Sequence, residues 1–128
     1  MFYELFLPFP PSINNYYVKT QRGVFISQKG RAFRAAVQAE CLEQLGIADN
    51  LRDRLLVTII LSVPDKRIRD VDNYVKPLLD ALTHAEVWED DKQIDQLFIY
   101  RGAITKPKGR VKVTISLAGP VVPLDFEV

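Results

Sequence analysis

Acidic residues are grouped around one lysine in the second half of the chain. Asp70 and Asp72 stand two positions apart, and Asp90 and Asp91 follow as an adjacent pair. Clustered carboxylates repel one another unless a cation joins them, and Mg²⁺ is commonly shared between one or two carboxylates and substrate phosphates. Lys76 follows Asp72 by about one helical turn, so its ammonium group is placed to meet charge on a phosphate. The pattern predicts metal-dependent phosphate chemistry.

These residues lie where a loop becomes a helix. Apolar residues recur at helical spacing at Val71, Val75, Leu78, Leu79 and Leu82, which predicts an amphipathic helix. Asp72 or Asn73 is expected to be its N-cap, and the positive end of the helix dipole favours a bound anion. Pro77 removes a backbone hydrogen bond, so the helix is expected to begin only shortly before it or to kink there. Trp88 is expected to anchor the loop that carries the second acidic pair.

Basic and aromatic residues are concentrated in loops, which predicts a positive rim for nucleic-acid phosphates around an acidic, metal-filled centre. The candidate contacts are Asn14, Asn15, Tyr17, Lys66, Arg67, Arg69, Lys106 and Lys108. Asparagine can bond phosphate or sugar, and tyrosine can stack on bases. Taken one at a time, the tyrosines fit a half-buried core position equally well.

The hydrophobic pattern predicts an α/β domain (close to α+β) with a mixed sheet flanked by two main helices. Strands are expected at 2–7, 24–26, 55–63, 94–100 and 111–117, and the helices at 28–45 and 71–82. Ser27 is expected to cap the first helix and Gly46 to end it, with Phe33, Val37, Cys41, Leu42 and Leu45 on its apolar stripe. The strand at 55–63 is almost wholly apolar, which favours burial on both faces.

Length and composition limit the alternatives. A chain of 128 residues fits one domain. The net charge of +1 means that any basic surface is local. One cysteine, Cys41, excludes an intrachain disulfide and a cysteine-based zinc site. No signal peptide or transmembrane-length apolar run is evident, so we expect a cytoplasmic protein without a membrane partner.

Two stretches together resemble the RusA-type Holliday junction resolvases, small endodeoxyribonucleases of bacteria and their prophages. The first is Pro10-Pro11-Ser12-Ile13-Asn14-Asn15-Tyr16-Tyr17. The second contains Asp70-Val71-Asp72-Asn73, Lys76, Asp80-Ala81-Leu82 and Trp88-Glu89-Asp90-Asp91-Lys92-Gln93-Ile94. The similarity spans nearly the whole chain, and the two aspartate motifs at this separation are its specific part.

The resemblance implies a homodimer that binds four-way DNA junctions in recombination and repair. It would nick two opposing strands symmetrically with Mg²⁺, for which Mn²⁺ can substitute. The family's essential carboxylates match Asp70, Asp72 and Asp91, which would hold the metal, and its active-site lysine matches Lys76. Asp90 would be an additional acid. The resemblance also implies one RusA-like domain over residues 1–128, with 119–128 as a C-terminal tail.

Three other classes of protein account for parts of the pattern. A non-catalytic DNA-binding module would use the basic loops but would not need clustered acids, and metal titration separates the two readings. Another phosphate enzyme built on Asp-x-Asp usually needs a larger domain, and a phosphatase expects that motif directly after an apolar strand. A purely structural dimer leaves the acidic cluster unexplained.

Overall fold

The computed structural model of the chain describes residues 2–47 and 49–124. In chain order the elements are β1 (Tyr3–Pro8), α1 (Ile13–Tyr16), β2 (Tyr17–Thr20), β3 (Gly23–Ile26), α2 (Gln28–Leu45), β4 (Leu55–Ser62), α3 (Asp72–His84), β5 (Ile94–Arg101) and β6 (Arg110–Leu117), with a 3₁₀ turn at Asp91–Gln93 before β5. The predicted strands and both main helices are therefore present, with bounds shifted by at most two residues. The tail after Gly119 contains no helix or strand as far as Leu124, where the described part ends.

The main sheet is mixed, as predicted, with strand order β1-β6-β4-β5. β6 runs antiparallel to both of its neighbours, whereas β4 and β5 are parallel. A parallel pair needs a crossover, and α3 with the segment after it provides this one. The crossover carries the whole acidic group, with one pair of aspartates before and at the start of α3 and the other just before β5.

Helices α2 and α3 pack on one face of this sheet and form the core. The buried residues of β4 are Leu55, Val57, Ile59 and Leu61. Those of α3 include Leu78, Leu79 and Leu82, and those of α2 are Gly30, Phe33, Val37 and Cys41. The predicted apolar stripes are largely confirmed. Leu42 is an exception, because it is 63% exposed on the outer side of α2.

The prediction that β4 is buried on both faces was wrong. Its burial alternates strictly, so that Leu56 and Ile60 are only half-buried. Side chains of a strand point alternately to the two faces, and the helices cover one face only. On the next strand, Phe98 and Tyr100 pair with the half-buried positions of β4 and are about half exposed.

Local signals at the ends of α2 behave as expected. The Ser27 hydroxyl oxygen accepts a hydrogen bond from the Gly30 backbone N–H at 3.0 Å, and Gly46 has a positive φ of 76° at the C-terminus. The strand at 24–26 was predicted, but residues 12–17, which carry Asn14, Asn15 and Tyr17, were expected to be a loop and are more ordered than that. The segment before α2 contains α1 and a two-stranded hairpin of β2 and β3, and Tyr16 within it is fully buried.

Among the described residues, no helix has the length and apolar character needed to cross a membrane.

Candidate active site

The first acidic pair lies at the start of α3. Asp70 is exposed in the preceding loop, and its carbonyl accepts a hydrogen bond from the Asn73 N–H at 3.2 Å. Asp72 is exposed in the first helical turn. The predicted capping role of Asp72 or Asn73 was wrong, because the N-cap is Val71 and no side chain caps this end. The chain already has helical φ and ψ at Val71, so a following side chain is inside the helix rather than at its cap.

Lys76 lies on α3 one turn after Asp72, at the wall of a cavity of about 390 Å³. It is exposed, whereas the adjacent Pro77 is buried inside the helix, soon after its start, as expected. Asn14 and Tyr17 line the same cavity. Three of the residues predicted to act on a phosphate or on DNA are thus brought together here.

The second acidic pair is held by a tightly bonded turn. The Asp90 carboxylate accepts from the Lys92 N–H at 2.9 Å, and the Gln93 side-chain oxygen accepts from the Asp90 N–H at 3.0 Å, which forms a capping box. Gln93 is buried, and its amide nitrogen donates to the carbonyls of Leu51 and Asp53 at 2.9 and 2.7 Å. These bonds fix the position of the pair.

Trp88 anchors the segment before this turn, as predicted. Its ring is fully buried in the core, and its indole N–H donates to the hydroxyl of Thr83 at 2.6 Å. A buried indole nitrogen needs such a partner, and Thr83 lies in α3. The loop that carries the second acidic pair is therefore attached to the helix that carries Asp72 and Lys76.

The charges of two residues on α3, Lys76 and Asp80, act on Asp91. Burial raises the pKa of Asp91, the hydrogen bond and charge of Asp90 raise it further, and the positive charge of Lys76 lowers it. The negative charge of Asp80 also raises the pKa of Asp91, by less than these other causes. The pKa of Asp90 is lowered, chiefly because its carboxylate accepts the Lys92 N–H. A carboxyl group that is half-buried beside a second one is a site where a cation relieves repulsion.

The carboxylates of the two acidic pairs do not form one set of metal ligands in the described part of the chain. Over residues 2–47 and 49–124, no three acidic, histidine or cysteine side chains are close enough to hold a metal ion together. The donor chemistry does fit a divalent cation, because Mg²⁺ prefers carboxylate oxygens. The carboxylates of Asp70 and Asp72 are exposed, and no hydrogen bond or ion pair engages them within the described chain. The assignment of Asp70, Asp72 and Asp91 as metal ligands stays a prediction.

The basic loop before α3 is partly used to hold its own shape. The Arg69 guanidinium bonds the Asp65 carboxylate at 2.8 Å, and only 9% of the Arg69 side chain is exposed. This contact, together with the Arg67 N–H, holds the pKa of Asp65 well below its usual range. Lys66 and Arg67 are exposed, so they are better placed than Arg69 to meet DNA.

The remaining predicted DNA contacts are spread over the surface. Asn15 lines a separate cavity of about 350 Å³ together with Arg67 and Arg69. Lys106 and Lys108 are exposed on the loop between β5 and β6. Neither lysine lines the cavity beside Lys76. These DNA-binding assignments stay predictions.

Sequence reasoning missed a polar network beside the site. The Asp80 carboxylate accepts from the Tyr16 hydroxyl and from Arg34, whose Nη2 lies 2.6 Å from Asp80 Oδ2. Arg34 Nε also donates to the Tyr16 oxygen at 2.8 Å. The available signal concerned Asp80 alone, because its spacing from Lys76 places an acid on the lysine's face of α3; it did not point to Tyr16 or Arg34.

Comparison with known proteins identifies a family and close relatives. The family model for endodeoxyribonuclease RusA matches residues 8–116. The chain is 40% identical over 114 residues to the crossover junction endodeoxyribonuclease of Enterobacteria phage HK97, with 89% of this chain and 93% of that protein covered. It is 35% identical over 120 residues to the crossover junction endodeoxyribonuclease of Escherichia coli K12, covering 91% and 96%. The protein of the same name from Enterobacteria phage 82 is 36% identical over the same length and coverage.

Proposed function

The chain belongs to the RusA endodeoxyribonuclease family, and we infer that it is a crossover junction endodeoxyribonuclease that resolves Holliday junctions. The observation that carries this function is the match over residues 8–116, which includes both aspartate motifs and Lys76. The reaction is hydrolysis of phosphodiester bonds, and this nuclease family implies a divalent metal requirement.

We propose Mg²⁺ as the metal, with Mn²⁺ as a substitute and Asp70, Asp72 and Asp91 as ligands. When bound, such an ion lowers the pKa of a coordinated water and neutralises charge on the scissile phosphate. The exposed, unengaged carboxylates of the first pair and the half-buried Asp91 support this assignment. Calorimetric titration with Mg²⁺ tests it, since the variant Asp91→Asn should bind more weakly than the wild type.

Lys76 and Asp90 are proposed to act in different ways. Lys76 lies on α3 one turn after Asp72, and its charge also acts on Asp91. Its ammonium group is therefore placed to neutralise charge on the phosphate and on the departing oxygen. Asp90 is proposed to position its neighbour, because its carboxylate is used to cap the turn at Asp91–Gln93.

The DNA-binding rim is proposed to have two parts. Asn14 and Tyr17 share the cavity of Lys76 and would meet DNA next to the cut phosphate. The exposed Lys66, Arg67, Lys106 and Lys108 would bind the backbone of the junction arms. Backbone contacts of this kind give affinity that falls steeply with salt.

A homodimer is proposed because a Holliday junction has approximate two-fold symmetry and resolution needs two cuts on opposing strands. Two copies related by a two-fold axis would place one site at each cut. The sheet face that the helices leave uncovered carries half-exposed Phe98 and Tyr100, and such apolar area is available to a second copy. Light scattering of the free protein tests the dimer, and a monomer mass at micromolar concentration would contradict it.

The function is tested on a synthetic mobile four-way junction with Mg²⁺, with a linear duplex of the same sequence as the control. We expect paired nicks at symmetric positions on opposing strands of the junction, and an intact duplex. Tight junction binding without cleavage in Mg²⁺ or Mn²⁺ would instead indicate a non-catalytic DNA-binding module. Equal cutting of the duplex would contradict selectivity for branched DNA.

A further inference from the structure

Three helices meet at the Asp80 carboxylate. Tyr16 belongs to α1, Arg34 to α2 and Asp80 to α3. The oxygen Oδ2 of Asp80 accepts from the Tyr16 hydroxyl, from Arg34 Nη2 at 2.6 Å and from Arg34 Nε at 3.2 Å. The tyrosine is fully buried, and the Arg34 and Asp80 side chains are only 23% and 32% exposed. A charge-assisted network with this little exposure holds its groups firmly.

Asp80 also stands four residues after Lys76 on the same face of α3. Lysine and aspartate at this spacing are within reach of each other and would ordinarily attract. Yet Lys76 makes no ion pair within 4.0 Å in the described part of the chain, whereas Asp80 is paired with Arg34. Lys76 instead lines the cavity shared with Asn14 and Tyr17.

We propose that Arg34 and Tyr16 are positioning residues for the nuclease reaction. By engaging the Asp80 carboxylate they prevent it from pairing with Lys76, so the lysine stays free to act on the phosphate. Neither residue touches the substrate in this scheme. The inference rests on the proposed role of Lys76 in junction cleavage.

The network also reaches the cavity wall. Tyr17 follows Tyr16 directly, the two rings meet edge to face with centroids 4.8 Å apart, and Tyr17 lines the cavity beside Lys76. The pKa of Tyr17 is raised by burial first and then by the charge of Asp80, while Arg34 lowers it. Asp80 and Arg34 are thus close enough to the cavity for their charges to act there.

The test is single-turnover cleavage of the four-way junction at saturating enzyme, with binding measured separately. Arg34→Gln should slow cleavage about tenfold, within the range of about 2- to 160-fold that is typical of coupled residues in one polar network, and leave junction affinity nearly unchanged. The double variant Arg34→Gln with Asp80→Asn should recover most of the lost rate, because the Asp80 carboxylate then no longer competes for Lys76. In a Lys76→Ala background, Arg34→Gln should have no further effect.

A purely structural role for the network gives the opposite results. The double variant would then be as slow as Arg34→Gln or slower, and the losses from Arg34→Gln and Lys76→Ala would multiply; either outcome overturns the inference. Arg52→Gln is the matched control, since it breaks an exposed arginine–carboxylate pair with Glu89, and it should keep the wild-type rate.

Two further results separate the possible failures. If Arg34→Gln does not fold, Tyr16→Phe removes one hydroxyl from the network and should give a smaller loss that Asp80→Asn also rescues; no loss, or loss without rescue, would overturn the inference. If the wild type itself does not cut the junction, the proposed function fails rather than this refinement of it.

Discussion

Replacing Gln93 with methionine should loosen the turn that carries Asp90 and Asp91. The Gln93 amide donates to two backbone carbonyls at 2.9 and 2.7 Å and accepts from the Asp90 N–H at 3.0 Å. Methionine has a similar length but makes none of these bonds. The Leu51 carbonyl then keeps only the hydrogen bond from the Glu89 N–H, and the Asp53 carbonyl and the Asp90 N–H lose the bonds that Gln93 supplies. For three bonds at about 0.5–1.5 kcal/mol each, the free energy of unfolding should fall by about 1.5–4.5 kcal/mol.

Urea denaturation at a fixed protein concentration measures this loss. Trp88 is the only tryptophan and is fully buried near the turn, so its fluorescence reports unfolding of this region. A loss of this size is a large part of the about 5–15 kcal/mol that keeps a domain folded. Single-turnover junction cleavage by the fraction that remains folded should also fall, because Asp91 is no longer held beside α3.

Gln96→Met is the matched control, three residues further along the chain on β5. The Gln96 side chain accepts one exposed hydrogen bond, from the Gly119 N–H at 2.9 Å, so the substitution should cost less than about 1 kcal/mol. If Gln93→Met unfolds at the same urea concentration as Gln96→Met, the three bonds do not hold the turn. If it is less stable but its folded fraction cuts at the full rate, the turn does not position Asp91.

One substitution and one alkylating reagent test the packing of α2. Alanine forms helices better than glycine by about 1 kcal/mol, but a Cβ on Gly30 would lie 2.5 Å from the Tyr16 carbonyl oxygen and 2.7 Å from a methyl group of Ile26. Because of these clashes, Gly30→Ala should lower the midpoint of thermal unfolding. A higher midpoint would refute this packing. Burial, followed by the charge of Glu40, raises the pKa of Cys41 from 9.0 to about 11. Because the thiolate is the form that reacts, iodoacetamide at pH 8 should alkylate the folded protein about a hundredfold more slowly than the urea-unfolded chain. Equal alkylation rates would show that the thiol is accessible in the folded protein.

The strand and helix positions could be predicted because their signals are local. Ser27 and Gly46 mark the ends of α2, and the apolar stripe of α3 is visible in its own residues. Whether a second layer covers a sheet is not a local property, which is why the apolar run of β4 suggested burial on both faces. The N-cap of α3 was misjudged because the chain enters the helix through helical backbone angles at Val71.

The site was predictable only as far as its residues are close in sequence or match a family motif. Asp72 and Lys76 share a helix, so their spacing alone places them on one face. The network of Tyr16, Arg34 and Asp80 joins positions 18, 46 and 64 residues apart, and no periodicity links such positions. Arg34 in particular has the same local context as an ordinary exposed helix arginine until the fold places Asp80 opposite it.

The most direct test of the central claim is the comparison of Asp72→Asn with the wild type on a four-way junction. Because Asp72 is exposed and caps nothing, the variant should fold, with a circular dichroism spectrum and junction affinity close to those of the wild type. Its single-turnover cleavage in Mg²⁺ should fall by at least about a hundredfold, as expected when charge stabilisation at the reacting phosphate is lost. Cleavage within a few-fold of the wild type would contradict the assignment of the acidic cluster as the catalytic centre.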